Sequence, residues 1–203
     1  ADLIPYGVQV KLGYVPDMND TAMLSAKDAN VNPASAATGK NLTQVAITAA
    51  PIDGLSLQAD AAETSNETGV NTAVEQGVSA NVGAKYTMGQ FSVGYVRGGY
   101  QPAIASGELT YYENEFYGIQ FDVNDAISVS YNIDKSDKVT RVAVVPGATA
   151  GTTSVVNMEQ KTVQLAYTAG GATIGIAQAD VDNSDYTNGS EEKQTIISLA
   201  VSF

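Results

Sequence analysis

Asp180, Asp182 and Glu191 stand at positions 1, 3 and 12 of a twelve-residue window. That is the spacing at which an oxygen-ligand loop holds Ca²⁺. The window departs from the pattern at position 6, where Asp185 replaces the turn glycine, and its flanks read as strands rather than helices. A weak Ca²⁺ site on an external loop is one expectation, and a solvated acidic loop is the other. Asp17, Asp20 and Asp28 form a second acidic segment with the same two readings. Other chemistry is scarce. The chain has no His and no Cys, which removes the commonest general base, the Ser-His-Asp arrangement, most zinc sites and all thiol and disulfide chemistry. Gly98-Gly99 and Gly170-Gly171 lack the lysine and spacing of a phosphate loop. No carboxylate pair is singled out for hydrolysis. The residues point away from an enzyme.

Composition narrows the class further. The 203 residues carry a net charge of -12, and the pI is about 4.1, so a nucleic-acid partner is excluded. Hydrophobic residues make up 44% of the chain, yet mean hydropathy is only -0.06. No stretch approaches the roughly 18 consecutive apolar residues of a transmembrane helix. A membrane protein of this composition crosses with strands, closed into a barrel so that every backbone group is paired.

Period-two alternation runs along the whole chain. Tyr6, Val8, Val10, Leu12 and Tyr14 share one side of the first segment; Val45, Ile47 and Ala49 precede Pro51-Ile-Asp-Gly54, and Leu55, Leu57, Ala59 and Ala61 follow it. Val78 to Tyr86, Phe91 to Tyr95, Tyr117 to Val123, Ile127 to Ile133, Val163 to Tyr167 and Ile174 to Ile176 repeat the scheme. About ten strands result. Tight turns are expected near 51–54, 87–90, 123–126 and 168–171, and longer polar connections near 16–40, 62–73, 98–108, 134–157 and 180–192. Alternately short and long connections suit an outer-membrane barrel, whose periplasmic turns are short and external loops long. Tyr86, Phe91, Phe121, Tyr167 and Phe203 fall beside the tight turns, and Tyr14, Tyr95, Tyr131 and Tyr186 near the long loops, as two aromatic girdles would require.

The final segment alternates Thr195, Ile197, Leu199, Val201 and Phe203. A strand that ends on an aromatic carboxyl terminus resembles the way bacterial outer-membrane barrels finish, and the resemblance gives Phe203 the role of an assembly signal. Gly83-Ala-Lys-Tyr-Thr-Met-Gly-Gln-Phe-Ser-Val-Gly-Tyr95, Phe116-Tyr-Gly-Ile-Gln-Phe-Asp-Val123 and Val163-Gln-Leu-Ala-Tyr-Thr-Ala-Gly-Gly-Ala-Thr-Ile-Gly175 extend the match. Together these stretches resemble the C-terminal part of a general porin of the alphaproteobacterial type. The resemblance implies an all-β, antiparallel, up-and-down transmembrane barrel of sixteen strands in a homotrimer. Such a barrel sits in the bacterial outer membrane among lipid and lipopolysaccharide, and passes small hydrophilic solutes and ions through a water-filled channel. Residues 1–203 would then form one barrel domain, incomplete at its N-terminus. A complete ten-stranded barrel serving as an adhesin or structural protein is the alternative.

Under the porin reading, strand parity turns a set of polar side chains toward the lumen: Gln9, Lys11, Gln44, Gln58, Asp60, Asn81, Lys85, Gln120, Asp122, Asn132, Gln160 and Gln164. Porins of this type set basic groups across from acidic ones. Here Lys11 and Lys85 are the inward bases, while Arg97 and Arg141 fall near or in loops, so the basic side of the field is thin.

Overall fold

The computed structural model describes residues 6–15, 41–65, 74–75, 77–101, 104–105, 108–142 and 153–201. Phe203 and the acidic segment with Asp17, Asp20 and Asp28 lie outside the described residues. Twelve strands and one short 3-10 turn make up the described part. They are β1 (Gln9–Val15), β2 (Asn41–Ala49), β3 (Leu55–Ser65), β4 (Val74–Glu75), β5 (Gly77–Met88), β6 (Phe91–Gln101), β7 (Ile104–Ala105), β8 (Glu108–Asn124), β9 (Ile127–Val142), β10 (Thr153–Ala169), β11 (Ala172–Asp182) and β12 (Glu191–Val201). Ten of them form one sheet in the order β1-β2-β3-β5-β6-β8-β9-β10-β11-β12, and β4 pairs separately with β7. Every pairing in the large sheet is antiparallel and joins neighbours along the chain. This is an up-and-down wall. Among the described residues β1 and β12 each pair with one strand only, which leaves two free edges.

The tight turns fall where the sequence places them, each for a local reason. Gly54 takes φ 78, and a Cβ there would run into the Thr87 carbonyl. In the β8–β9 turn the Asn124 Oδ1 accepts from the backbone N–H groups of Ala126 (2.8 Å) and Ile127 (2.9 Å), an Asx turn. Gly170 and Gly171 take φ 58 and 81 between β10 and β11, the left-handed pair of a two-residue hairpin.

Strands run into four of the long connections expected from the sequence, those near 62–73, 98–108, 134–157 and 180–192. β9 continues to Val142 and β10 begins at Thr153, inside the stretch expected as loop from 134 to 157. Here cross-strand polar pairs take over from apolar ones. Asn157 Nδ2 donates to Asp137 Oδ1 at 2.6 Å, and the backbone ladder runs on from Ile133↔Lys161 to Arg141↔Thr153. Alternating hydrophobicity ends there, but hydrogen-bonded pairing does not.

Register sorts the side chains into two faces, because directly paired residues share a face. One face runs Leu57, Ala84, Tyr95, Tyr117, Ile133 from strand to strand, and the next rows Val93, Ile119, Tyr131, Val163 and Phe91, Phe121, Val129, Leu165, Ile176, Ile197. Leu12, Ile197 and Leu199 on this face are 81%, 74% and 68% exposed. Burying such side chains is worth about 1.5–3 kcal/mol each, so a continuous apolar face demands an apolar neighbour. Of the buried side chains, Leu42, Ser79, Tyr100, Ser136, Thr162 and Ala179 lie on the opposite, polar face, and Val139 lies on the apolar side.

Successive turns are stepped. Asn124↔Ile127 closes β8–β9, Ile127 pairs with Tyr167, and β10–β11 closes two residues further at Ala169↔Ala172. Two residues of step per two strands corresponds to a tilt of about 35°, within the range of membrane barrels.

Candidate functional site: the polar inner face

All twelve polar residues expected to point inward lie on the one face opposite the apolar rows. Gln9 pairs with Thr48, Lys11 with Ala46, and Gln44 with Gly13 and Ala62. Gln58 pairs with Gly83, Asp60 with Asn81, and Lys85 with Ser56 and Gly94. Gln120 pairs with Ser92 and Ser130, Asp122 with Ser128, Asn132 with Gly118 and Thr162, Gln160 with Asp134, and Gln164 with Ser130 and Ala177. The face is rich in Gln, Asn, Ser, Thr, Lys, Asp and Gly, with Leu42, Val96, Tyr100, Tyr112, Phe116, Val156, Met158, Val181 and Ile196 set among them. A cleft of about 510 Å³ lies along it, bordered by Gln58, Lys85, Gln120, Asn132, Asp134 and Gln164 and by the inward Val96 and Phe116.

These groups hold one another in place. Asn81 Nδ2 donates to Asp60 Oδ2 at 2.8 Å, Gln120 Nε2 to Asp122 Oδ1 at 2.8 Å, and Gln160 Nε2 to Thr162 Oγ1 at 3.1 Å. Glycines make room for them. A Cβ on Gly118 would lie 2.8 Å from the Asn132 Oδ1, so the amide lies flat across the neighbouring strand. Amides and carboxylates that are paired sideways stay on the wall instead of reaching across the space beyond it.

Glu192 and three further inward-facing groups were not legible from the alternating segments. Asp134 and Lys138 extend the parity of Ser128, Ser130 and Asn132 along β9, beyond the point where apolar alternation stops. Continued polar parity was the available signal. Tyr186 is the third. The connection between β11 and β12 folds onto the inner face: the Tyr186 and Ser136 hydroxyls are 2.7 Å apart, and the Tyr186 ring lies 5.4 Å from that of Tyr112 and 5.9 Å below the Lys138 ammonium. Tyr186 is therefore an inward residue rather than a member of an outer aromatic girdle. Tyr95 and Tyr131 do face outward, but each stands only four residues above its turn, at Phe91 and Ile127, in the middle of the apolar rows.

Arg97 and Arg141 also lie in strands and face outward. Arg97 Nε is 3.8 Å from Glu115 Oε1, and Arg141 Nη2 is 3.2 Å from the Tyr111 hydroxyl.

The three carboxylates with calcium-like spacing do not surround a loop. Asp180, Asp182 and Glu191 stand on the outer face of the β11–β12 hairpin, with Asp182 paired to Glu191 and Asp180 to Lys193. Asp180 Oδ1 is 3.8 Å from Lys193 Nζ and Asp182 Oδ2 is 3.9 Å from Lys161 Nζ. Among the described residues no group of three or more acidic side chains converges on a common point.

The fold is similar to that of a solved structure. The chain is similar to OmpT, an outer membrane protein of Vibrio cholerae, with a TM-score of 0.54 and 13% identity over 78% of this chain and 52% of that one. The fold is that of an outer-membrane β-barrel. At this identity the likeness carries the fold and not a function, and it does not single out the alphaproteobacterial porin type. The chain spans about half the length of the barrel it matches. No protein-family model matches the sequence, and no curated protein does. The barrel wall is accordingly assigned from its own two faces, the apolar one to lipid and the polar one to the interior.

Proposed function

We propose that this protein is an outer-membrane porin, a water-filled channel for passive diffusion of small hydrophilic solutes and ions. The observation that carries this reading is the inner face. Polar side chains recur on it in every strand of the sheet, and it bears Lys11, Lys85 and Lys138 together with Asp60, Asp122, Asp134 and Glu192. A barrel whose interior is a packed core would fill such positions with branched apolar side chains. Instead Gly83, Gly94, Gly98 and Gly118 face inward, and Gly83, Gly94 and Gly118 border the cleft described above. Charges of both signs on one wall shape a field that a hydrated solute must cross.

The two free edges support a barrel wider than ten strands, in keeping with the resemblance to sixteen-stranded trimeric porins. Single-channel recording of the detergent-extracted protein in a planar bilayer tests the reading. Large steps arriving in threes are expected from an open trimer. A heat-resistant barrel that gives no steps would overturn it and leave a surface or adhesive role.

A further inference from the structure

The cleft on the inner wall follows two inward rows that lie side by side. One runs Ser56, Lys85, Gly94, Gly118, Asn132 from strand to strand, and the other Gln58, Gly83, Val96, Phe116, Asp134. Lys85 and Asp134 border the cleft at opposite sides, three strands apart, with Asp134 two residues further from the tight turns. Between them Gly94 and Gly118 carry no side chain. A Cβ on Gly94 would meet only the Ala84 carbonyl, at 3.8 Å, so the wall is open there. Val96 and Phe116 give the open strip one apolar bank.

The polar groups around the cleft are unengaged, whereas other lysines of the wall have partners. On the outer face Glu159 lies between Lys135 and Lys161, with its Oε2 3.3 Å from Lys135 Nζ and its Oε1 2.5 Å from Lys161 Nζ. Lys193 Nζ is 3.8 Å from Asp180 Oδ1, and Lys138 lies over the Tyr186 ring. Among the described residues the Lys85 ammonium has no such partner, and neither have the side-chain amides of Gln58, Asn132 and Gln164. Each of these amides offers both donors and an acceptor.

We propose that this cleft is a subsite for short zwitterionic peptides of two or three residues. Lys85 takes the peptide carboxylate, and Asp134 takes the ammonium at the other end. The free amides pair with the N–H and C=O groups of the peptide backbone, which a solute without amides would leave unmatched. Val96 and Phe116 take an apolar side chain. Asp134 also has a contact within the protein, and a carboxylate with about four acceptor sites holds a second donor without losing the first. Spacing sets the length. Three strand spacings of about 4.8 Å and two residues of about 3.4 Å put the two Cα positions about 16 Å apart. An extended peptide spans about 3.3–3.6 Å per residue, so two or three residues join the charges with neither side chain fully stretched. The volume of about 510 Å³ is that of a small-molecule site. The inference deepens the channel reading and rests on it for the solute's route to the cleft.

Ligand-observed NMR titration of the folded protein in neutral detergent tests it, with three forms of alanyl-leucyl-alanine as probes: the zwitterion, the N-acetyl form and the C-terminal amide. The parent protein is expected to bind the zwitterion about tenfold more tightly than either blocked form, since each blocked form loses one charged contact. Lys85→Gln should bring the zwitterion down to the level of the amide, and Asp134→Asn to that of the N-acetyl form. Lys193→Gln, altered on the outer face, should leave the preference intact. Equal binding of the three forms by the parent overturns the proposal without recourse to any variant. So does an N-acetyl form that binds as tightly as the zwitterion, which marks a plain anion site, or a preference that survives Lys85→Gln. Channel recording on the same preparation separates the two readings. Steps without a preference keep the channel and remove the subsite; a preference without steps keeps the subsite and removes the route through the barrel.

Discussion

Tyr186 and Ser136 lie fifty residues apart in the chain and join hydroxyl to hydroxyl at 2.7 Å on the inner face. Ser136 Oγ donates its own proton to Asn114 Oδ1 at 2.5 Å, so Tyr186 is the donor to Ser136. The connection that delivers it is tightly wound. Asn183, Asp185 and Tyr186 take φ 53, 53 and 54, a left-handed conformation that non-glycine residues adopt at a cost. Asn183 offsets part of it, donating to the Asn157 carbonyl (2.7 Å) and accepting from Gly189 N–H (2.8 Å). Tyr186→Ala should free this loop from the wall and enlarge single-channel steps. Ser136→Ala should give a smaller change in the same direction, with a loss of about 1 kcal/mol for the hydrogen bond. Steps unchanged in Tyr186→Ala would place the loop outside the conduction path.

Lys85 is an inward base beside the cleft that Asp134 also borders. Lys85→Glu is expected to shift reversal potential in a salt gradient toward cation preference, with folding unaffected because the side chain is exposed. An unshifted potential would show that ions pass this part of the wall at a distance.

Gly118 leaves room for the Asn132 amide. Gly118→Leu should drive that amide off the wall, reduce conductance, and cost about 1–3 kcal/mol through overpacking. Urea titration of the folded protein in vesicles reads the second effect, and bilayer recording the first. Conductance equal to the parent's would mean that the pore is too wide at this level to sense one side chain.

Thr195 Oγ1 donates to Gln178 Oε1 at 2.6 Å on the apolar face. Two polar groups facing lipid are tolerable only as a pair. Gln178→Leu alone should destabilise the barrel by about 1–3 kcal/mol, since the Thr195 hydroxyl loses its partner. Combining Gln178→Leu with Thr195→Val should recover most of that loss. Additive losses in urea titration would show that each group finds its own partner instead.

Alternation along single strands determined much of this protein without reference to any fold. From the segments around Val45, Val78, Ile127 and Val163 come the two faces, the twelve inward polar residues, the strand class and the positions of the tight turns. Each is a local property, because a pleated strand turns successive side chains to opposite sides whatever lies next to it. Gly54, Asn124 and Gly170-Gly171 mark turns for equally local reasons. Tertiary structure decided the rest. That Glu159 lies between Lys135 and Lys161, that β9 runs on past Asp134 to Val142, and that Tyr186 folds inward to Ser136 all depend on register between strands and on the path of a connection. Those are set by hydrogen-bonded pairing and barrel tilt across residues far apart in sequence, and no strand records its neighbour's offset in its own period.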